Sequence, residues 1–164
     1  MKLYMKQKVF SWKDRFTIMD SFGEDKYFVE GEFLSLGKKL HITDKNGREA
    51  AFVKQKLIAL MPKFTIEIDG REIAEIVKKF TLFTPKYIVK GLGWEVEGDF
   101  FAHDYVIKDG SRIIVSIHKQ WMSWGDTFEL DVDSDENEVV ALAVVLAIDA
   151  VMDANASSAA SSSF

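Results

Sequence analysis

VVALAVVLAI, residues 139–148, is an unbroken apolar run, preceded by DVDSDENE at 131–138 and closed by Asp149. A membrane-crossing helix needs about twenty mostly apolar residues to span about 30 Å. Ten helical residues rise only about 15 Å. Asp149 interrupts the run, and no Lys or Arg follows it to hold a cytoplasmic end. The membrane-anchor reading therefore fails. Alanines at 141, 143, 147 and 150 favour helix over strand. The acids in front suit a helix N-terminus, and Asp135 with Glu138 three residues later has the capping-box spacing. The run thus predicts a helix over about 137–152. It would be apolar on nearly all sides, and such a helix is buried.

The rest of the chain has a strand rhythm. Phe64, Ile66 and Ile68 alternate with polar residues, as do Trp94 with Val96, and Phe128 with Leu130 and Val132. Period two sends one set of side chains to a core and the other to water. These signals predict about twelve strands, near 2–7, 16–20, 26–33, 39–43, 49–56, 63–68, 71–80, 86–90, 92–98, 104–109, 111–118 and 126–132. Pro62 and Pro85 fall between them. The connections are too short for parallel crossovers, so the sheet is expected to be antiparallel. Asn46-Gly47, Asp69-Gly70 and Asp109-Gly110 are type I′ turn dipeptides. They align three stretches, DKNGREAAFVKQK, EIDGREIAEIVKK and IKDGSRIIVSIHK, as one hairpin design used three times. Their unequal spacing excludes a solenoid. A buried helix among a dozen strands is most economically housed in a closed antiparallel barrel wrapped around it. Any binding site then belongs on the outer wall or at a mouth.

One set of residues also carries a resemblance. WEVEGDF at 94–100 is followed by the Asp109-Gly110 turn, then IHKQWMSWGDTF at 117–128, then the apolar helix with Asp149. In these the chain resembles the LURP-one-related family, the bacterial YxjI-like branch of the tubby C-terminal-like superfamily, over about 1–153. The resemblance implies a twelve-stranded barrel around a C-terminal helix. The superfamily also holds tubby proteins, which bind phosphoinositides, and phospholipid scramblases. No lipid-contact motif of tubby maps onto this chain, and there is no cysteine to acylate as in a scramblase. The matching motifs are structural and say little of activity.

The whole chain reads as one domain over 1–153 with a low-complexity tail at 154–164, expected to be disordered. With no cysteine in 164 residues, disulfides and thiolate metal sites are excluded. MKLYMKQKVF has no apolar run of signal-peptide length, so the expectation is a cytoplasmic protein, or one peripheral to the membrane. The net charge of −5 is uneven: 1–36 is neutral, 37–90 carries +6 and 95–164 carries −11. An acidic chain is a poor nucleic-acid binder, but its basic middle can meet phosphates locally.

Catalytic motifs are missing. There is no Walker A loop or G-x-S-x-G elbow, and Gly91-Leu92-Gly93 lacks a third glycine at Val96. Asp131, Asp133 and Asp135 have EF-hand spacing, yet Glu136 and Leu142 stand where the loop needs Gly and Glu. His41, His103 and His118 share no metal-ligand spacing. No catalytic residue, metal or cofactor is assigned, and an enzyme would require a pocket joining a histidine to a carboxylate. Asp149 needs a partner inside its buried helix, such as a strand Arg, backbone N–H groups or solvent at the mouth.

The strongest candidate is the basic set Lys54, Lys56, Lys78, Lys79, Lys86 and Lys90. If their strands adjoin, they form a patch for anionic lipid headgroups. The leading expectation is a non-enzymatic binding module for such headgroups. The alternative is a protein-interaction module using Trp121 and Trp124 or the acidic C-terminal half.

Overall fold

The computed structural model describes residues 1–6, 15–32, 36–79, 86–100, 102–122 and 125–161. Twelve strands are present: β1 (Lys2–Lys6), β2 (Phe16–Met19), β3 (Asp25–Gly31), β4 (Lys39–Asp44), β5 (Glu49–Gln55), β6 (Phe64–Ile68), β7 (Arg71–Lys79), β8 (Lys86–Lys90), β9 (Trp94–Asp99), β10 (Asp104–Asp109), β11 (Arg112–Met122) and β12 (Gly125–Val132). Each pairs antiparallel with its neighbours in sequence, and β12 pairs with β1 to close the barrel. Closure leaves no free sheet edge.

The apolar run forms helix α1 (Glu138–Ser161), entered through a 3-10 turn at Asp135–Asn137. Residues 141–148 are all at most 2% exposed, so the helix has no solvated face along this stretch. It is ringed by inward strand residues such as Leu3, Ile18, Ile42, Val53, Ile66, Ile76, Val89, Ile107, Ile117 and Leu130. Burying each such side chain contributes about 1.5–3 kcal/mol. The helix is what gives twelve inward faces something to bury against. No helix among the described residues is long and apolar enough to cross a membrane.

Three expectations are corrected. The helix runs to Ser161 instead of stopping near 152, so residues 154–161 continue it where a disordered tail was expected. Once a helix is nucleated, each added residue costs little, and alanine costs least. Residues 162–164 lie outside the described set. The capping box does not form: Ser134 is the cap residue of the 3-10 turn and makes no side-chain cap bond. Glu138 is used instead by the barrel, where Tyr27 Oη donates to Oε1 at 2.6 Å and Lys26 Nζ to Oε2 at 2.8 Å. Burial and this carboxylate hold the Tyr27 phenol far above its ordinary pKa.

The third correction concerns the repeated hairpin. Only Asp69-Gly70 has both central residues at positive φ, 51° and 71°. At 44–48 the design is Asp-x-x-Gly: Asp44 Oδ1 accepts from Asn46 N at 2.8 Å and Arg48 N at 3.0 Å, with Gly47 left-handed. The same design recurs at 20–24, where Asp20 Oδ1 accepts from Phe22 N and Glu24 N at 2.8 and 3.0 Å. In each case the flanking pairing shifts register nearby, after Ile18 and after Ile42. A type I turn closed by a left-handed glycine produces such a bulge. The shared motif is therefore DSFGE with DKNGR; the three-stretch alignment followed the glycines instead of the aspartate that organises the turn.

Candidate functional site

The alternation of strand direction sorts the connections to two ends. One end carries the short turns at 20–24, 45–48, 69–70, 91–93 and 110–111, together with the start of α1. The other carries the longer connections, including 32–38, 56–63 and 100–103, and receives the C-terminal half of α1. The candidate site lies at this second, long-loop rim.

Strands β5 to β8 are neighbours, so the basic residues share one sector of the barrel. Lys54, Lys79, Lys86 and Lys90 take the outward register, whereas Lys78 follows buried Ala74 and Ile76 on the inward one, across from buried Tyr87 at the rim. Lys54 stands opposite Thr65, Thr65 opposite Glu75, and Glu75 opposite Lys90. The six lysines do not behave alike. Lys54 is paired with Glu67, and Lys56 with Glu75 and, at 3.8 Å, with Glu72. Lys63, not singled out from sequence, lies 3.7 Å from Glu75. The Lys56 hydrogen bond outweighs partial burial and lowers the Glu75 pKa, with further help from Lys63 and Lys90. Lys78, Lys79 and Lys86 make no ion pair among the described residues. Lys79 lies directly across from Lys86. Like charges in that position cost stability.

Between these lysines stands an apolar arch, LIALMP at 57–62. Its stem is closed by Lys56 N donating to Lys63 O at 2.9 Å. Leu57 is 61% exposed, and Ile58 and Leu60 are fully exposed. A groove of about 420 Å³ separates the arch from the β7 wall, lined by Glu75, Val77 and Lys78. In the preceding loop Leu36 is 82% exposed, and the next residue, Gly37, lies against the arch. Glycine allows that approach: at φ 79°, a Cβ at 37 would stand 2.7 Å from Leu57 Cδ2. Sequence reasoning passed over the arch, although an all-apolar connection between two strand signals was itself visible.

The Trp121 and Trp124 expectation falls outside the described residues: Trp121 belongs to β11, but its side chain and the whole of Trp124 lie outside what is described. The calcium-like aspartates are otherwise occupied. Asp133 pairs with Arg112 and accepts from Asn137 Nδ2 at 2.9 Å, and Asp131 lies 3.6 Å from the Met1 amine.

Each histidine meets a carboxylate. His41 is held at both ring nitrogens, Nδ1 2.6 Å from Glu49 and Nε2 2.8 Å from Glu32, so neither is available as a base. His118 Nδ1 lies 2.8 Å from Asp104 on an exposed strand. His103, in the 100–103 connection, answers the Asp149 question: its Nε2 lies 3.3 Å from Oδ1, and its ring stacks on Phe128. The partner is thus a loop histidine instead of a strand arginine. Among the described residues neither Asp149 oxygen has an aligned hydrogen bond, and burial raises its pKa against the opposing pull of His103. Next to it, Tyr105 is buried, its hydroxyl without a hydrogen-bond partner among the described residues.

Comparison with known proteins agrees with this architecture. The model of the LURP-one-related family matches residues 1–149. The uncharacterized protein YxjI of Bacillus subtilis (strain 168) is 38% identical over 151 residues, covering 92% of this chain and 93% of that one. An X-ray structure of a protein from Arabidopsis thaliana superposes with a TM-score of 0.59 over 88% of each chain, at 14% identity. At that identity the likeness speaks for the fold alone.

Proposed function

The chain belongs to the LURP-one-related family, and from that premise we propose that it is a non-enzymatic module that binds anionic phospholipid headgroups through its long-loop rim. The observation that carries this reading is the placement of Lys78, Lys79 and Lys86 at one rim, without ion pairs among the described residues, beside Lys56 and Lys63. Each lysine brought near an anionic surface contributes about 1 kcal/mol. The interior is filled by α1, so the reading needs no internal cavity.

Co-sedimentation with vesicles tests it. The protein should pellet with vesicles containing phosphatidylserine or phosphoinositide, not with neutral ones, and less as salt rises. The pair Lys79→Glu with Lys86→Glu should weaken binding about tenfold or more. The two positions stay a like-charge pair with its sign reversed, so thermal stability should change little. Absence of pelleting at low salt on every anionic composition overturns the proposal.

A further inference from the structure

Resting on the headgroup reading, we infer that the arch at 57–62 is a membrane wedge: on an anionic bilayer Leu57, Ile58 and Leu60 enter the acyl boundary while Lys56 and Lys63 stay among the headgroups.

Four features converge on a lipid surface as the occupant. The first is shape. Fully exposed Ile58 and Leu60 touch almost nothing of their own protein, so the apolar tip is convex and stands clear of the wall. A fluid interface accepts a convex tip without a matching cavity. The second is charge. A lysine stands at each foot of the arch, with Lys78 beside the groove behind it. Apolar residues below basic ones is the order an anionic interface imposes, with the apolar face reaching about 5–10 Å inward. Long lysine side chains bridge the two layers. The third is stiffness. The Lys56 to Lys63 backbone bond and the attachment of both side chains to Glu75 fix the stem. The tip is therefore presented before any encounter, and its ordering does not have to be supplied by binding. The fourth is support: the Gly37 backbone lies against the Leu57 side chain, so the neighbouring loop buttresses this short apolar ridge.

A wedge changes what binding should look like. Lysines alone give attraction that fades with salt, whereas buried leucine and isoleucine side chains do not depend on ionic strength. The unmodified protein should keep a salt-resistant fraction on anionic vesicles. Leu57→Ser, Ile58→Ser and Leu60→Ser combined should abolish that fraction and weaken low-salt binding about tenfold or more. All three side chains are exposed, so the variant should melt as the parent does.

The absence of cysteine allows a direct reading of depth. Ile58→Cys and, at the opposite end, Asn46→Cys each give a unique thiol for an environment-sensitive fluorophore. On phosphatidylserine vesicles the label at 58 should shift to the blue and be quenched by lipids brominated along the acyl chain. The label at 46 should do neither. If the protein pellets but the label at 58 is unmoved, the wedge is overturned and the headgroup reading stands. If nothing pellets, both fall. If the parent dimerises in solution, the serine variant does not, and no quenching occurs, the ridge belongs to a second copy of this chain and the wedge is overturned.

Discussion

Helix α1 carries two buried carboxylates eleven residues apart, Glu138 and Asp149, and the barrel treats them in opposite ways. Glu138, at the short-turn end, is met by a phenol and an ammonium within 2.8 Å. Asp149, toward the long-loop rim, has among the described residues no aligned hydrogen bond and a histidine at 3.3 Å. The same division runs through the loops. At one end, aspartates cap their own turns. At the other, apolar side chains stand in water and lysines face each other. The short-turn end pairs its buried carboxylate and caps its turns, with Phe22 exposed in one of them; the rim carries the facing lysines and the exposed apolar arch. A folding constraint explains the first; the second is the surface on which the headgroup proposal rests.

The contrast is tested most severely at Glu138. Glu138→Ala leaves Tyr27 and Lys26 facing an empty site and should cost about 2–4 kcal/mol, read from the urea midpoint at neutral pH. A loss below about 1 kcal/mol would break the comparison, since the well-paired end would then owe little to its pairing.

A smaller effect is expected at Gly37. Gly37→Ala sets a Cβ against Leu57 and a non-glycine residue at φ 79°, and should lower stability by about 1–2 kcal/mol. A change within about 0.5 kcal/mol would show that Leu57 gives way, and would sharpen the rim as pliable.

The smallest effect has the opposite sign. Asp149 has a raised pKa in the fold, so between its unfolded and folded values the native state holds the extra proton. Its contribution to stability is present below the unfolded value and is lost as pH rises through the folded one. Asp149→Asn removes that loss and should gain up to about 1 kcal/mol at pH 7, vanishing near pH 4. Denaturation curves at the two pH values measure it. If the variant is less stable than the parent at pH 7, the contact with His103 outweighs burial and the two ends are more alike than they look.

The legible part of the molecule was the part governed by period. Alternation marks β4 to β8 and β10 to within a residue or two at each end, because one buried face imposes it directly. The axial helix could be inferred from VVALAVVLAI, since a helix without a polar side has few places to go. Its C-terminal end was not legible: alanine and serine are equally at home in a tail, and only attachment to an existing helix decides. Nor was the state of the lysines. That Lys56 meets Glu75 while Lys79 meets Lys86 depends on cross-strand register, which shifts by one at a bulge between Ile66 and Glu67. The Asp20 and Asp44 turns were within reach, had the aspartate been weighed with the glycine.

The order of elements along the chain has a consequence for how the protein is made. All twelve strands precede the helix they enclose, and β1 waits for β12 before its pairing is complete. During synthesis a dozen amphipathic strands therefore emerge before their core arrives. The latest segment must reach the centre, and contacts this distant in sequence form slowly. A nascent barrel of this kind exposes apolar faces for as long as translation takes to deliver α1. Residues 139–151 are then the step that ends the vulnerable interval as well as the filling of the finished fold.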